Sequence, residues 1–133
     1  MAALKKRYYP KIAEEVYLAT LDNGMSLSII KKKGFIEKAA FLSTNFGALD
    51  NRFYIDGKLQ TYPAGIAHFL EHKLFEDDQG RDVTLDFVKL GADVNAFTTL
   101  DRTTYYFSTI DHFEESLELL LKFTSEFTSS EDT

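Results

Sequence analysis

The chain has 133 residues, the size of a single domain, with 15 basic and 21 acidic side chains and a net charge of −6. This acidity excludes non-specific nucleic-acid binding, because phosphate contacts need a basic surface. The chain has no cysteine, which excludes disulfide frameworks, thiolate metal sites and a cysteine nucleophile. A cysteine-free chain fits a reducing compartment, so we expect a cytoplasmic protein. No apolar run approaches the roughly 20 residues that span a bilayer, so we expect no membrane partner.

The first elements predicted along the chain are strands. Residues 1–11 are basic and close near a proline, and we expect a mobile leader there, followed by one folded unit over residues 12–133. Strands are predicted over residues 16–21 and 25–30. Between them lies Asn23-Gly24, a hairpin signal that favours positive φ at both turn positions.

The middle of the chain is predicted to alternate between strand, loop and helix. A third strand covers residues 39–46, and turn residues over 48–64 predict a loop. A helix is expected over 64–76 and a second one over 82–91, where Asp82 or Thr84 can serve as the N-cap.

The last part of the chain returns to strands and then to helix. Residues 94–98 and 103–110 are predicted strands, and Asp111 with Glu114 forms a capping box for a third helix. The order β-β-β-α-α-β-β-α indicates an α+β fold, with a mainly antiparallel sheet and helices on one face.

The end of the chain resembles the start of a further helix. Ser129 and Ser130 precede two acidic residues, as in an N-cap followed by a first turn. Two interpretations stay open on these local signals, a truncated helix and an ordinary polar C-terminus.

Residues 68–72 read His-Phe-Leu-Glu-His. On a helix, at 100° per residue, His68, Glu71 and His72 share one face, and Phe69, Leu70 and Leu74 lie on the opposite face. We therefore expect the apolar face to pack on the sheet, while the two imidazoles and the carboxylate project together.

Two histidines at i and i+4 are spaced to bind one metal ion. A glutamate between them can contact a metal-bound water as general base without being a ligand. This pattern is the inverzincin arrangement. The alternative is a half-exposed helix with solvated side chains.

Several blocks of this sequence resemble the pitrilysin, insulin-degrading enzyme and mitochondrial processing peptidase family. The zinc-site helix of that family is matched by residues 65–75, and its Gly-x-x-x-Asn-Ala-Phe-Thr strand by 91–98. The following Thr-x-Tyr-Tyr-Phe strand is matched by 103–107. Residues 22–25 and 46–50 are similar to the opening hairpin and to the stretch after the third strand, with Ala48 replacing the common serine. The amino-acid sequence of this helix is most similar to that of the uncharacterised bacterial branch of the family.

The resemblance implies a role for each matched position. His68 and His72 would ligate Zn²⁺, and Glu71 would be the general base. Asn95 and Ala96 would pair with the backbone of a peptide substrate, and Phe97 would line a substrate pocket. Asn95 satisfying local backbone groups and Phe97 lying in the core remain the alternatives for those two residues.

The resemblance also implies what this chain does not contain. The third zinc ligand of the family is a glutamate on a later helix, which would fall beyond Thr133, so the chain is expected to be an N-terminal part of a LuxS/MPP-like metallohydrolase lobe. A homologous lobe or subunit would complete a chamber around the substrate. Spacing alone selects none of the acidic residues present as a third ligand; the candidates are Glu76, Asp77, Glu114, Glu118 and Glu126.

The function expected from the resemblance is that of a zinc-dependent endopeptidase or processing peptidase. The segment by itself is expected to bind zinc weakly or not at all and to be inactive. The alternative is a non-catalytic homologous subunit or peptide-binding scaffold. The side chains of Tyr105, Tyr106 and Phe107 are expected in the core or on a sheet face, and His112 on the surface.

Overall fold

A computed structural model describes residues 3–126 of the chain. The described residues divide into two compact units, with the boundary between Phe35 and Ile36. The possible helix start at Ser129 and Ser130 lies outside the described residues. Within residues 3–126, no helix is both long and apolar enough to cross a membrane.

The first unit is a three-stranded antiparallel sheet in the order β1-β2-β3. Its strands are β1 (Lys5–Tyr9), β2 (Glu14–Thr20) and β3 (Ser26–Ile30). The expectation of a mobile leader over residues 1–11 is therefore wrong for β1, which pairs with β2 along its whole length. An ion pair at 3.0 Å joins Lys6 to Glu15 across the two strands. The basic side chains thus belong to a sheet with acidic partners on the next strand.

The turn between β2 and β3 differs from the predicted two-residue hairpin. Gly24 has a φ of +86°, whereas Asn23 does not have a positive φ. The Leu21 N–H donates to the Met25 carbonyl at 2.8 Å, and the Gly24 N–H donates to the Leu21 carbonyl. This is a three-residue loop in which a turn is followed by a left-handed glycine. Only one left-handed residue is needed, because the extra residue absorbs the strand twist.

Over its described residues, 36–126, the second unit combines a three-stranded sheet, a two-stranded hairpin and three helices. The sheet is antiparallel with the order β4-β8-β7. The bounds in chain order are β4 (Lys38–Thr44), β5 (Arg52–Ile55), β6 (Lys58–Thr61), α1 (Ile66–Leu74), α2 (Thr84–Lys89), β7 (Ala92–Thr98), β8 (Thr103–Thr109) and α3 (Phe113–Ser125).

The hairpin β5-β6 lies where a loop was expected over residues 48–64. Ile55 pairs with Lys58, so Asp56 and Gly57 form a two-residue loop. Both have positive φ, 49° and 75°, as a type I′ turn requires. Asp-Gly is a hairpin signal of the same kind as Asn-Gly, so the predicted loop over residues 48–64 is wrong where these two strands lie.

The core of the second unit lies between the sheet and its helices. Phe87 of α2, Phe107 of β8 and Leu120 of α3 are at most 1% exposed. On β8, Tyr105 and Phe107 are buried beneath the helices, while Tyr106 faces the other side and stacks on Phe41. The predicted α+β fold with helices on one face of an antiparallel sheet is confirmed, as are the core and sheet-face positions of these rings.

The third helix begins later than the predicted capping box. Its N-cap position is His112, which has a φ of 54° and makes no side-chain capping bond. Asp111 instead accepts the His112 N–H at 2.8 Å. The Asp111 carboxylate therefore bonds to the backbone of the next residue, and the predicted capping box of Asp111 with Glu114 is wrong. His112 is exposed, as expected.

Candidate metal centre

The helix α1 follows directly after a left-handed glycine. Gly65 occupies the N-cap position with a φ of +89°, a conformation in which glycine has no steric penalty. Its carbonyl accepts the Phe69 N–H at 2.9 Å. Glycine therefore turns the chain sharply after the β5-β6 hairpin and starts the helix that carries the His-x-x-Glu-His motif.

The rotation of α1 about its axis differs from the predicted one. Ala67 and Glu71 are its buried residues, and Leu74 packs against the core cluster. Phe69, expected on the packing face, is 49% exposed. The helix thus directs Glu71 toward the sheet, where the Thr98 hydroxyl of β7 donates a hydrogen bond to its carboxylate.

Three side chains of α1 form a cluster with the composition of a metal site. One ligand atom from each of His68, Glu71 and His72 lies within 4.8 Å of those of the other two. The Nε2 atoms of His68 and His72 are 2.9 Å apart. Both imidazoles are exposed, whereas Glu71 is 6% exposed. The predicted sharing of one face by these three residues is therefore present in the fold.

The donor set fits a zinc ion. Two imidazole nitrogens that ligate one tetrahedral zinc at 2.0–2.1 Å lie about 3.3 Å apart. The Nε2 atoms of His68 and His72 are 2.9 Å apart and need to separate by only a few tenths of an ångström, which exposed rings on a helix surface can do. The imidazole pair is thus arranged to hold the ion, with Glu71 beside it.

Glu71 is held by contacts that come from the sheet. The Thr98 hydroxyl, at the end of β7, donates a hydrogen bond to Glu71 Oε2. The buried ring of Tyr105 lies close enough that burial first, and the Glu71 charge second, raise the pKa of its hydroxyl to about 12. The Glu71 carboxylate therefore lies near the Thr98 hydroxyl and the Tyr105 side chain, on the side of the helix away from bulk water.

None of the acidic residues considered as a third ligand belongs to the cluster. Among residues 3–126, the group of metal-binding side chains consists of the two histidines and Glu71 alone. Glu76 is instead paired with Lys73 at 2.8 Å, and Asp77 with Arg81 at 3.0 Å. The remaining candidates are on or just after α3 and lie outside the group; they are Glu114, Glu118 and Glu126.

The three residues predicted to bind substrate lie on β7, which is an edge strand. In the described part of the chain β7 pairs with β8 alone. Ala96 is partly buried and packs against the core. Asn95 and Phe97 are exposed and lie on the opposite sheet face, where the Phe97 ring is 6.0 Å from that of Tyr106. The fold thus does not bring these two side chains to the histidines.

A comparison with protein-family models decides the family. The model described as Insulinase (Peptidase family M16) matches residues 60–132, which is more than half of the chain and includes α1, β7 and β8. This chain belongs to peptidase family M16.

The chain is also similar to individual proteins over most of its length. The chain is 44% identical over 122 residues to an uncharacterized zinc protease, YmfH, of Bacillus subtilis, with 90% of this chain and 28% of that protein covered. An M16-like peptidase of Alicyclobacillus acidocaldarius superposes with a TM-score of 0.82 at 35% identity, covering 90% of this chain and 28% of the other. A protease of Helicobacter pylori shares the fold at 21% identity, with a TM-score of 0.67 over 99% of this chain and 28% of the other. The chain therefore spans a little over a quarter of the length of each of these three proteins.

One residue of this M16 site was not singled out from the sequence. Thr98 is the last residue of the Asn-Ala-Phe-Thr block, yet its contact with Glu71 joins positions 27 residues apart. The available signal is strand alternation, which places Thr98 on the same sheet face as Ala96 and beneath the helices. That signal indicates the face, whereas the contact itself depends on how α1 crosses β7.

Proposed function

We propose that this chain is the N-terminal catalytic segment of a zinc-dependent M16 endopeptidase that cleaves peptide bonds. The observation that carries the proposal is the convergence of His68 and His72 beside a buried Glu71. Membership of family M16 indicates the reaction class, and the pair of imidazole nitrogens indicates which metal would bind. The parent protein is expected to hold one zinc ion.

Each side chain of the cluster has a distinct role in this proposal. His68 and His72 hold the ion through Nε2. A bound zinc ion supplies a water of lowered pKa and polarises the scissile carbonyl. Glu71 accepts the proton of the attacking water and later returns it to the leaving amine. Its burial keeps the carboxylate in one place beside the histidines.

The substrate is proposed to bind at the edge of β7. An extended peptide would add as a further strand beside Asn95 and Ala96, and Phe97 would contact one of its side chains. Such pairing uses backbone hydrogen bonds, so peptides of varied sequence can bind. A homologous lobe or subunit would enclose the peptide, and the protein would act in the cytoplasm.

The decisive experiment uses the full-length gene product and the substitution Glu71→Gln. Zinc content should remain at the wild-type value, because Glu71 is not proposed as a ligand. Hydrolysis of a fluorogenic peptide should fall by about 10²- to 10⁴-fold, the usual contribution of a general base. The matched control is Glu37→Gln, an exposed glutamate outside the cluster, which should cleave at the wild-type rate.

Two outcomes would contradict this assignment. Retained hydrolysis in Glu71→Gln would show that another group is the base. Loss of zinc in the same variant would show that Glu71 is a ligand. A wild-type protein that binds extended peptides without cleaving them would favour the alternative, a non-catalytic subunit or peptide-binding scaffold.

The 133-residue segment alone is proposed to lack peptidase activity and to bind zinc weakly. Catalytic zinc sites usually have three protein ligands, and the cluster described here offers two histidines. Calorimetric titration of the segment with ZnCl₂, beside a peptidase assay, measures both properties. Micromolar or tighter affinity together with hydrolysis would overturn this expectation.

A further inference from the structure

We propose that Thr98 is a positioning residue for Glu71, leaving Oε1 as the oxygen that takes the proton. The inference rests on the proposed function, because it concerns the general base of that reaction. It starts from the hydrogen bond that the Thr98 hydroxyl donates to Glu71 Oε2. A carboxylate held at one oxygen presents the other in a fixed direction.

The direction of this hydrogen bond follows from the chemistry of the two groups, because an ionised carboxylate can only accept. A threonine hydroxyl has one proton to donate. Thr103, on β8, donates its proton to the carbonyl of Phe46 at 2.7 Å. Its oxygen is 3.5 Å from that of Thr98 and could accept the Thr98 proton, but it lies farther away than Glu71 Oε2 does. An ionised carboxylate is also a stronger acceptor than a neutral hydroxyl, so the Thr98 proton goes to Glu71.

Burial gives the Glu71 carboxylate little water to bond to in place of Thr98. Its side chain is 6% exposed, and that of Thr103 is 2% exposed, so little water reaches this side of the helix. Hydrogen bonds made away from water are electrostatically stronger than exposed ones. Thr98 thereby fixes the rotamer of Glu71 more firmly than a solvent-facing hydroxyl could.

The position of Thr98 also connects the base to the proposed peptide-binding strand. Thr98 ends β7, the strand that contains Asn95 and Ala96. A peptide that pairs with the edge of β7 would restrain this strand, and with it the hydroxyl that orients Glu71. Loss of the Thr98 hydroxyl should therefore slow the chemical step more than it weakens the binding of substrate.

The test compares Thr98→Val, which removes the hydroxyl at nearly constant shape, with Thr98→Ser, which keeps it. In the full-length protein Thr98→Val should lower kcat by about 10- to 100-fold, the cost of a misplaced catalytic group. KM and zinc content should stay within twofold, and Thr98→Ser should recover most of kcat. The control Thr99→Val removes a hydroxyl that bonds within its own turn, to Asp101.

A second measurement tests the hydrogen bond without using activity. Urea midpoints are measured for Thr98→Val, Glu71→Met and the double variant, because methionine has no oxygen that could accept the Thr98 proton. If the two side chains interact, the shift of the double variant should differ clearly from the sum of the single shifts, whereas independent sites add. Thr99→Val combined with Glu71→Met should be additive.

The outcomes separate this inference from the proposed function. Unchanged kcat in Thr98→Val, or additive urea shifts, would overturn the positioning role. An inactive wild-type protein with non-additive shifts would reject the proposed function while supporting the Thr98–Glu71 bond. A fall in kcat that Thr98→Ser does not recover would reduce Thr98 to a packing role and overturn the proposal.

Discussion

The side-chain oxygen of Asn95 accepts the backbone N–H of the next residue, Ala96, at 2.8 Å. The Thr99 N–H donates to the Arg102 carbonyl at 2.7 Å. Because inward and outward bonding alternate along an antiparallel strand, Phe97 and Asn95 bond to β8 and Ala96 faces the free edge. Asn95 thus covers the edge donor that an added peptide strand would use.

The substitution Ala96→Pro tests peptide binding at this edge. It removes the outward N–H while leaving the bonds between β7 and β8, and proline is tolerated on edge strands. We expect KM for an extended peptide to rise at least about tenfold, since one backbone bond and close approach are lost, with little change in Tm. Phe97→Pro is the control, because it removes an inward N–H and should lower Tm markedly. An unchanged KM in Ala96→Pro would place the substrate elsewhere.

His68→Ala should abolish stoichiometric zinc binding by the full-length protein. The Nε2 atoms of His68 and His72 are 2.9 Å apart and would share the ion, and a catalytic zinc site usually has three protein ligands. With His68 removed, His72 would be the one imidazole left on this helix to hold the ion. Atomic absorption after gel filtration measures zinc per chain. The control is His112→Ala, the third histidine of the chain, which faces Glu115 at 3.7 Å. Full zinc occupancy in His68→Ala would remove His68 from the ligand set.

Phe87→Ala should be among the most destabilising substitutions in the second unit. Its ring is fully buried and contacts the rings of Phe107 and Phe123 at centroid distances of 6.0 and 5.8 Å. Truncation leaves a cavity and should cost about 3–5 kcal/mol of unfolding free energy. The neighbouring Val88 is 68% exposed, so Val88→Ala should change the free energy of unfolding by less than about 0.5 kcal/mol. Urea denaturation measures both, and equal losses would contradict this core.

Tyr105 should make stability fall above pH 10. Burial, and then the charge of Glu71, raises the pKa of its hydroxyl to about 12, from an ordinary value of 10. Between these values the unfolded chain releases the proton and the folded chain keeps it. Stability is therefore retained below pH 10 and lost as pH rises toward 12, by about 1.4 kcal/mol per unit.

The measurement compares unfolding free energies at pH 8 and pH 11 for wild type and Tyr105→Phe. The variant should lose less stability on going to pH 11, because the titrating group is absent. Tyr54, which is 73% exposed, provides the control variant Tyr54→Phe with the wild-type pH dependence. Equal slopes for wild type and Tyr105→Phe would show that Tyr105 titrates normally in the folded state.

Much of the second unit could be predicted from local patterns. The three helices and the strands β7 and β8 follow from periodicity, whereas the capping box predicted for α3 does not form. The hairpin β5-β6 was missed because Asp56-Gly57 was read as a break rather than as a type I′ turn. Strand β1 was missed because its charged residues suggest a solvated leader, whereas its pairing depends on β2.

The sequence by itself determined that His68, Glu71 and His72 lie together, because a helix brings positions i, i+3 and i+4 to one side whatever surrounds it. Only the tertiary structure decided how α1 is rotated, so that Glu71 is buried while Phe69 is exposed. The contact of Glu71 with Thr98 likewise depends on the crossing of a helix and a strand. Local hydrogen bonding sets the first relationship, and packing between distant segments sets the second.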